Sequence, residues 1–187
     1  MEIFKFGGAS VKDAAGVKNV LEVLKTVGHE NVLLVISAMG KTTNALEIVI
    51  KNYFDKSNEL YASLQDIRKY HNQILLDLFE DEEHEVFFDI NAHFDDLEYF
   101  VRSNKSPNYP FVYDQIISIG ELVSTTIVSH YLNFSSISNQ WLDVRQYIKT
   151  DNNYRDANVD WDHTQKLISK INRKKSLFVT QGFIGAD

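Results

Sequence analysis

Apolar and polar residues along this 187-residue chain fall into blocks of two different periods. Met1 to Phe6 alternate and then run into Gly7-Gly8-Ala9-Ser10, the pattern of a short strand, a glycine turn and a helix opening near Ser10 or Asp13. Val17, Val20, Leu21, Leu24 and Val27 recur at helical spacing up to Gly28, a residue suited to a helix C-cap. The aliphatic run from Asn31 to Ile36 reads as a strand buried on both faces of a parallel sheet. Strand, helix and strand within about forty residues make a βαβ unit. A second helix is expected after Gly40-Lys41-Thr42-Thr43-Asn44, with Leu46, Val49, Ile50 and Tyr53 on one face. Residues 57–103 predict an antiparallel helical pair, because Leu60, Leu64, Ile67, His71, Ile74 and Leu78, and then Phe87, Ile90, Phe94, Leu97 and Val101, step by three and four. Glu80-Asp81-Glu82-Glu83 forms the solvated turn between them. Pro107 and Pro110 predict a break, followed from Phe111 by a helix hydrophobic nearly all round and hence buried. Residues 135–138 and 141–144 read as short strands, 161–175 as containing a helix, 176–180 as another buried strand, and 181–185 as a glycine-bracketed loop.

Composition narrows this picture. With 44% hydrophobic and 24% charged residues, the chain can bury one sizeable core and at most a small subdomain. A net charge of −7 argues against general nucleic-acid binding, and it requires any anion site to be locally positive within a negative field. The absence of cysteine excludes disulfides and thiolate zinc sites and fits a reducing compartment. No apolar run is expected to reach the length of a membrane span and no signal-peptide core opens the chain, so the expectation is a soluble, cytoplasmic protein with no membrane partner.

The candidate chemistry lies in the turns. Adjacent Gly7 and Gly8 let backbone N–H groups approach a ligand, a helix N-terminus behind them adds oriented dipoles, and Lys5 can join them, together forming a phosphate cradle. An ordinary βα turn that needs glycines for geometry explains Gly7-Gly8 equally simply. A second polar loop, 37–44, falls beside the first at the carboxyl edge of the sheet, where open α/β sheets bind ligands. Gly40-Lys41-Thr42 resembles the tail of a Walker A loop, but Val35 stands where that loop needs its first glycine; no GxGxxG is present, and Phe88 breaks an HExxH reading from His84. His71 and His93 read as core or flank histidines, and no metal-ligand set is evident. Glu121 is the only Asp, Glu, Lys or Arg between Gln115 and Leu142, and a carboxylate in such a helix needs a partner, either a ligand or a core group. The helical pair is either a lid over the sheet edge or a packing or dimer surface.

Lys5-Phe6-Gly7-Gly8-Ala9-Ser10, Val35-Ile36-Ser37-Ala38 with Thr43-Asn44, Ser118-Ile119-Gly120-Glu121, Leu142-Asp143-Val144-Arg145 and Gln181-Gly182-Phe183-Ile184-Gly185 resemble, in order, the motifs of aspartokinases. The resemblance covers essentially the whole chain. It implies an amino acid kinase-like three-layer α/β sandwich with a mainly parallel sheet, the helical pair 57–103 being an insertion or lid. It also implies ATP- and Mg²⁺-dependent phosphorylation of the β-carboxylate of L-aspartate, the first step toward lysine, threonine and methionine. Lys5 is then the catalytic candidate holding the transferring phosphate. Gly7, Gly8, Ala9 and Ser10 are the nucleotide- and phosphate-binding candidates. Ser37, Thr43 and Glu121 are the substrate-binding candidates, with Glu121 holding the α-ammonium group. No protein metal site is implied, since Mg²⁺ arrives with ATP.

Two departures accompany the resemblance. Ala9 stands where the family usually has Thr, which removes a hydroxyl but keeps the backbone cradle. The family's segment after the Gly-Phe-Ile-Gly loop, the rest of its nucleotide-binding half and its regulatory ACT domains do not follow. The expectation is therefore the N-terminal part, residues 1–187, of one amino acid kinase domain, truncated at its C-terminal end, with negligible turnover by itself and a tendency to form a homo-oligomer through its open sheet. The alternatives are a sibling kinase acting on glutamate, carbamate or UMP, and a non-catalytic self-associating module.

Overall fold

The computed structural model describes residues 1–171 and 177–187. Four strands, β1 (Glu2–Phe6), β2 (Val32–Ile36), β3 (Gln140–Leu142) and β4 (Leu177–Gln181), form one sheet in the order β1-β2-β4-β3. Every pairing is parallel. Phe6, Ile36 and Gln181 stand in one row at the carboxyl edge, and Lys5, Val35, Thr180 and Leu142 in the row before it. All five residues of β4 are buried, as for a central strand covered on both faces, whereas edge strand β1 leaves Glu2, Ile3 and Lys5 exposed. Ser176, expected to open β4, and the stretch 172–175, expected to finish the last helix, lie outside the described residues.

Six helices accompany the sheet: α1 (Ala14–Val27), α2 (Thr42–Phe54), α3 (Leu60–Leu78), α4 (Glu85–Ser103), α5 (Tyr109–Phe134) and α6 (Trp161–Ile168). Their ends follow local chemistry. The Asp13 carboxylate accepts from the Gly16 amide at 2.8 Å to cap α1, and Gly28 closes that helix at φ +92 with its N–H on Leu24. Asn108 and Asp160 cap α5 and α6 in the same way. The right-handed crossover of parallel β-x-β connections places α1 and the α2–α5 group on one face and α6 on the other, giving three layers. α5 lies on the sheet, with α2 and α4 against it.

The structure corrects four readings. Pro110 does not break the chain; it sits in the first turn of α5, where its missing N–H would have had no helical partner anyway. Residues 135–138 are not a strand. They close α5, with the Ser136 N–H on Asn133 and the Ile137 N–H on Leu132 while Ser136 takes φ +65. That arrangement satisfies orphan helix carbonyls, so the stretch is held by the helix rather than by a strand partner. β3 ends at Leu142, and Val144 instead begins a 3₁₀ turn. α5 is also long and apolar enough, by length and composition, to cross a membrane, a run that the sequence pattern alone does not single out. Two-thirds of its apolar window is buried inside the fold, consistent with a core helix.

The helical pair does not stand off the domain. α3 packs on α2 and α4, and α4 packs on α5. Leu64, Ile74 and Leu75 of α3 join Ile90, Phe94 and Leu97 of α4 in the same apolar core as Leu34 and Ile36 of β2. Fully burying each such side chain is worth about 1.5–3 kcal/mol. His71 lies fully buried at the α2–α3 contact. Its Nδ1 lies 2.8 Å from the Ile67 carbonyl and its Nε2 3.3 Å from the Thr42 hydroxyl, which itself donates to the Met39 carbonyl at 2.6 Å. Burial lowers the ring's pKa to about 4, so it is neutral at pH 7. The unfolded chain takes up this proton near pH 6.5 and the folded chain only near pH 4, so stability is lost as pH falls through that window. Urea denaturation should show a loss on the order of 3 kcal/mol between pH 6.5 and 4. The His71→Gln variant should lack most of that slope; an unchanged slope would show that another group carries it.

Candidate active site

Three segments converge at the carboxyl edge of the sheet. The first is the turn after β1, where Gly7 precedes a 3₁₀ turn, Gly8–Val11, and its carbonyl accepts from the Ser10 N–H at 2.8 Å. The second is the loop after β2, tied to the first by Ser37 N–H to Phe6 at 3.0 Å and Gly40 N–H to Gly8 at 2.9 Å. The contact is so close that a Cβ on Gly8 would lie 2.5 Å from the Ala38 carbonyl oxygen. A Cβ on Gly7, by contrast, would meet nothing within 4 Å. Gly8 is thus required by packing, while Gly7 presents its backbone to open space. Gly40 adopts φ +56 to complete the loop.

The third segment is the middle of α5. A Cβ on Gly120 would come within 3.1 Å of the Ala38 side chain and 3.2 Å of both Leu46 and Thr42, so a bare backbone lets the helix abut the loop. One residue on, the Glu121 side chain is buried, and Oε1 accepts from the Ala38 N–H at 3.0 Å. Oε2 is buried with no hydrogen-bond partner among the described residues. Burial raises the Glu121 pKa; the nearby Ala38 and Gly182 amides and the Lys5 charge pull it back only in part. The Gly182 amide is near enough to be felt electrostatically, but it does not meet hydrogen-bond geometry for Oε2. One turn along the helix, the Ser124 hydroxyl donates to the Ser37 carbonyl at 2.7 Å, a second tie to the same loop.

A buried polar chain extends this centre to β3 and β4. The Val144 N–H donates to Gln181 Oε1 at 2.8 Å, Gln181 Nε2 donates to Thr125 Oγ1 at 2.7 Å, and Trp141 Nε1 donates to the same oxygen at 3.0 Å. The Thr125 hydroxyl in turn donates to the Glu121 carbonyl at 2.9 Å. Beside it, Arg145 pairs with Asp143 at 2.7 Å. Burial pushes the Asp143 carboxyl up, but the Arg145 hydrogen bonds and charge outweigh it and hold the group below the usual range. Beyond β4, Phe183 is almost fully exposed at φ +69, a left-handed conformation that costs an ordinary side chain roughly 1–2 kcal/mol.

The structure thus brings Lys5, Gly7, Gly8, Ser37 and Glu121 to one edge. Lys5 is exposed, makes no ion pair among the described residues and lies within electrostatic reach of Glu121. Ala9 and Ser10 lie in the exposed 3₁₀ turn. Thr43 is half-buried in the first turn of α2, and no hydrogen bond links it to the cluster; its neighbour Thr42 packs beside Gly120 instead. Sequence reasoning missed the Ala38 amide, which no side chain reveals. It also missed Gln181 and Thr125, whose signal was a polar residue ending an otherwise apolar strand and a Ser-Thr-Thr run inside a buried helix.

Residues 1–187 match the amino acid kinase family throughout. The chain belongs to that family. Among its relatives, the lysine-sensitive aspartokinase 3 of Escherichia coli is 26% identical over 190 residues, spanning 99% of this chain and 41% of the relative. The aspartokinase of Chlamydia trachomatis is 26% identical over 185 residues, 98% of this chain and 40% of the relative. This amino acid kinase chain thus spans well under half the length of both relatives. The solved structure of E. coli aspartokinase III with lysine and aspartate superposes with a TM-score of 0.88 at 25% identity, covering 100% of this chain and 42% of that one. The same enzyme with aspartate and ADP gives 0.87.

Two glycine substitutions separate packing from ligand access. Gly8→Ala should destabilise the protein by about 1–3 kcal/mol, since backbone must move to admit the methyl group. Gly7→Ala should change stability by no more than about 0.5 kcal/mol. Chemical denaturation of both variants checks this; equal losses would mean the two turns are not packed as described.

Proposed function

We propose that this chain forms the substrate side of an ATP-dependent aspartokinase that phosphorylates the β-carboxylate of L-aspartate. The observation that carries this reading is Glu121: a buried carboxylate with one oxygen on a backbone amide and the other without a partner among the described residues, beside an edge where Lys5 faces solvent. Leaving that oxygen unpaired is costly in the unliganded fold. An ammonium group placed against it would remove that cost, and L-aspartate offers one at its α-carbon. The resemblance to aspartokinases, one of them solved with aspartate and ADP, supports the same assignment.

The residues present fit a nucleotide phosphate. Gly7 leaves its backbone open to solvent, no side chain caps the 3₁₀ turn behind it, and the Lys5 cation makes no ion pair among the described residues. Bound ATP with its Mg²⁺ supplies the transferable phosphoryl group. An aspartate β-carboxylate in water titrates at about pH 3.9 and is ionised at neutral pH, so no general base is required. Lys5 and the Gly7-Gly8 amides then neutralise phosphate charge, Glu121 fixes the amino acid through its ammonium group, and Ser37 and Thr43 line the approach. The α3–α4 pair supports the rim in this reading, because Tyr70 of α3 hydrogen-bonds to the Lys12 carbonyl and crowds Gly40. The setting we propose is the cytoplasmic first step toward lysine, threonine and methionine, carried out by a homo-oligomer.

Ligand binding is the direct test, since the relatives carry more than twice the length of this chain. Thermal unfolding with L-aspartate, L-glutamate and Mg-ATP added separately should give an upward shift with aspartate and none with glutamate. Glu121→Gln should weaken aspartate binding at least tenfold. The raised Glu121 pKa means that its contribution to stability is present at low pH and lost as pH rises through the folded value, so the same variant should melt higher than wild type at pH 7 without ligand. A wild-type response to glutamate equal to that with aspartate would overturn the substrate assignment, and an unaltered aspartate response in Glu121→Gln would overturn the role of Glu121.

A further inference from the structure

A groove of about 540 Å³ runs between α2 and α3, away from Glu121. That volume falls within the range of small-molecule pockets. The two helices are antiparallel here, since Thr42 meets His71 at one end and Asn52 Nδ2 donates to the Ser63 hydroxyl at 3.2 Å toward the other. The wall is largely apolar, formed by Ala45, Ile48 and Ile67 with the ring of Tyr70. Ile67 is buried as the floor, while Ile48 is 55% exposed, an apolar wall with nothing over it.

The polar groups are unevenly placed. Lys12 and Lys41 line the groove at the Tyr70 end, and neither makes an ion pair or side-chain hydrogen bond among the described residues. Two such cations beside an apolar trough stand out in a chain of net charge −7. Asp66 lies one turn along α3 from Tyr70 and also makes no ion pair among the described residues. A ligand here must therefore confine its negative charge to the lysine end, because a second anionic group along the wall would meet Asp66.

We propose that this groove is a second ligand site that takes a small amphipathic monocarboxylate. Its head pairs with Lys12 and Lys41, and its apolar body lies along Ala45, Ile48 and Ile67. The site stands independently of the aspartokinase reading, since it uses none of the cradle residues. It does adjoin them: the Tyr70 hydroxyl lies 2.7 Å from where a Gly40 Cβ would sit, and the Gly40 amide holds the Gly8 carbonyl. An occupied groove presses on the ring that braces the cradle loop.

The probe is 4-phenylbutyrate, titrated into the 187-residue chain and followed by amide NMR, with 4-phenylbutylamine and 4-phenylbutanol as cationic and neutral counterparts. Saturable shifts are expected at Lys12, Lys41, Ala45, Ile48 and Gly40, with a dissociation constant of about 1 mM or tighter. The amine and the alcohol should bind at least tenfold more weakly, and added L-aspartate should not compete. The double variant Lys12→Ala/Lys41→Ala and the single variant Ile48→Asp should each lose at least tenfold in affinity while keeping a cooperative thermal transition, because both lysines are exposed and Ile48 is more than half exposed. The absence of saturable shifts, equal binding of the amine or the alcohol, retained affinity in both variants, or competition by L-aspartate would each overturn the proposal.

Discussion

Three stretches of backbone meet at the carboxyl edge of the sheet, with no room for an added methyl group at Gly8 and only a tight fit for one at Gly120. Gly8 touches the Ala38 carbonyl and Gly120 touches the Ala38 side chain, so one short loop is clamped between the turn after β1 and the middle of α5. That clamp aims the Ala38 amide at Glu121 and leaves the outer carboxylate oxygen without a partner among the described residues. The same clamp brings Lys5 within electrostatic reach of Glu121. The site is assembled by close packing of main chain, and the charges follow from it. Loosening the packing would let water reach Glu121 and pair the outer oxygen that the fold leaves without a partner among the described residues.

Polar ties from the β3–β4 half of the sheet reinforce this clamp. Gln181 ends β4 and uses both ends of its amide, one toward the turn after β3 and one toward Thr125. Thr125 passes the link to the backbone of Glu121. Every member of this chain has a partner, as a buried network requires if it is to stiffen a core rather than weaken it. Family membership agrees with this architecture: the solved E. coli aspartokinase III superposes on the whole chain at 25% sequence identity.

Much of the fold was legible because its signals are local. The aliphatic run of β2, the caps of α1 and the two periodic stretches of the helical pair all depend on residues near one another in sequence. Glu121 was legible as a candidate because it is the only Asp, Glu, Lys or Arg between Gln115 and Leu142. What it bonds to was not, since the Ala38 amide lies far away in sequence and carries no side-chain signature. Pro110 misled because proline both ends helices and begins them, and only the cap at Asn108 decides between the two. Residues 135–138 misled because their alternation is that of a strand, whereas their hydrogen bonds belong to the end of α5. Thr42 and Thr43 could not be ranked from sequence, because a helix start does not reveal which of two neighbours turns inward.

The order of strands bears on how the chain reaches this state. β4 follows β3 in sequence, yet it occupies the interior of the sheet, between β2 and β3. Until it arrives, β2 and β3 each expose a row of unpaired backbone groups, and the partners that β4 supplies lie nearly the whole chain away from β2. Contacts of such long separation form late and slowly. During synthesis the earlier elements therefore wait with an open slot in the sheet, a period in which strands from other chains compete for the same edge. Gln181, at the end of β4, closes the polar network only once the slot is filled, so the surroundings of Glu121 are completed only after all four strands have paired.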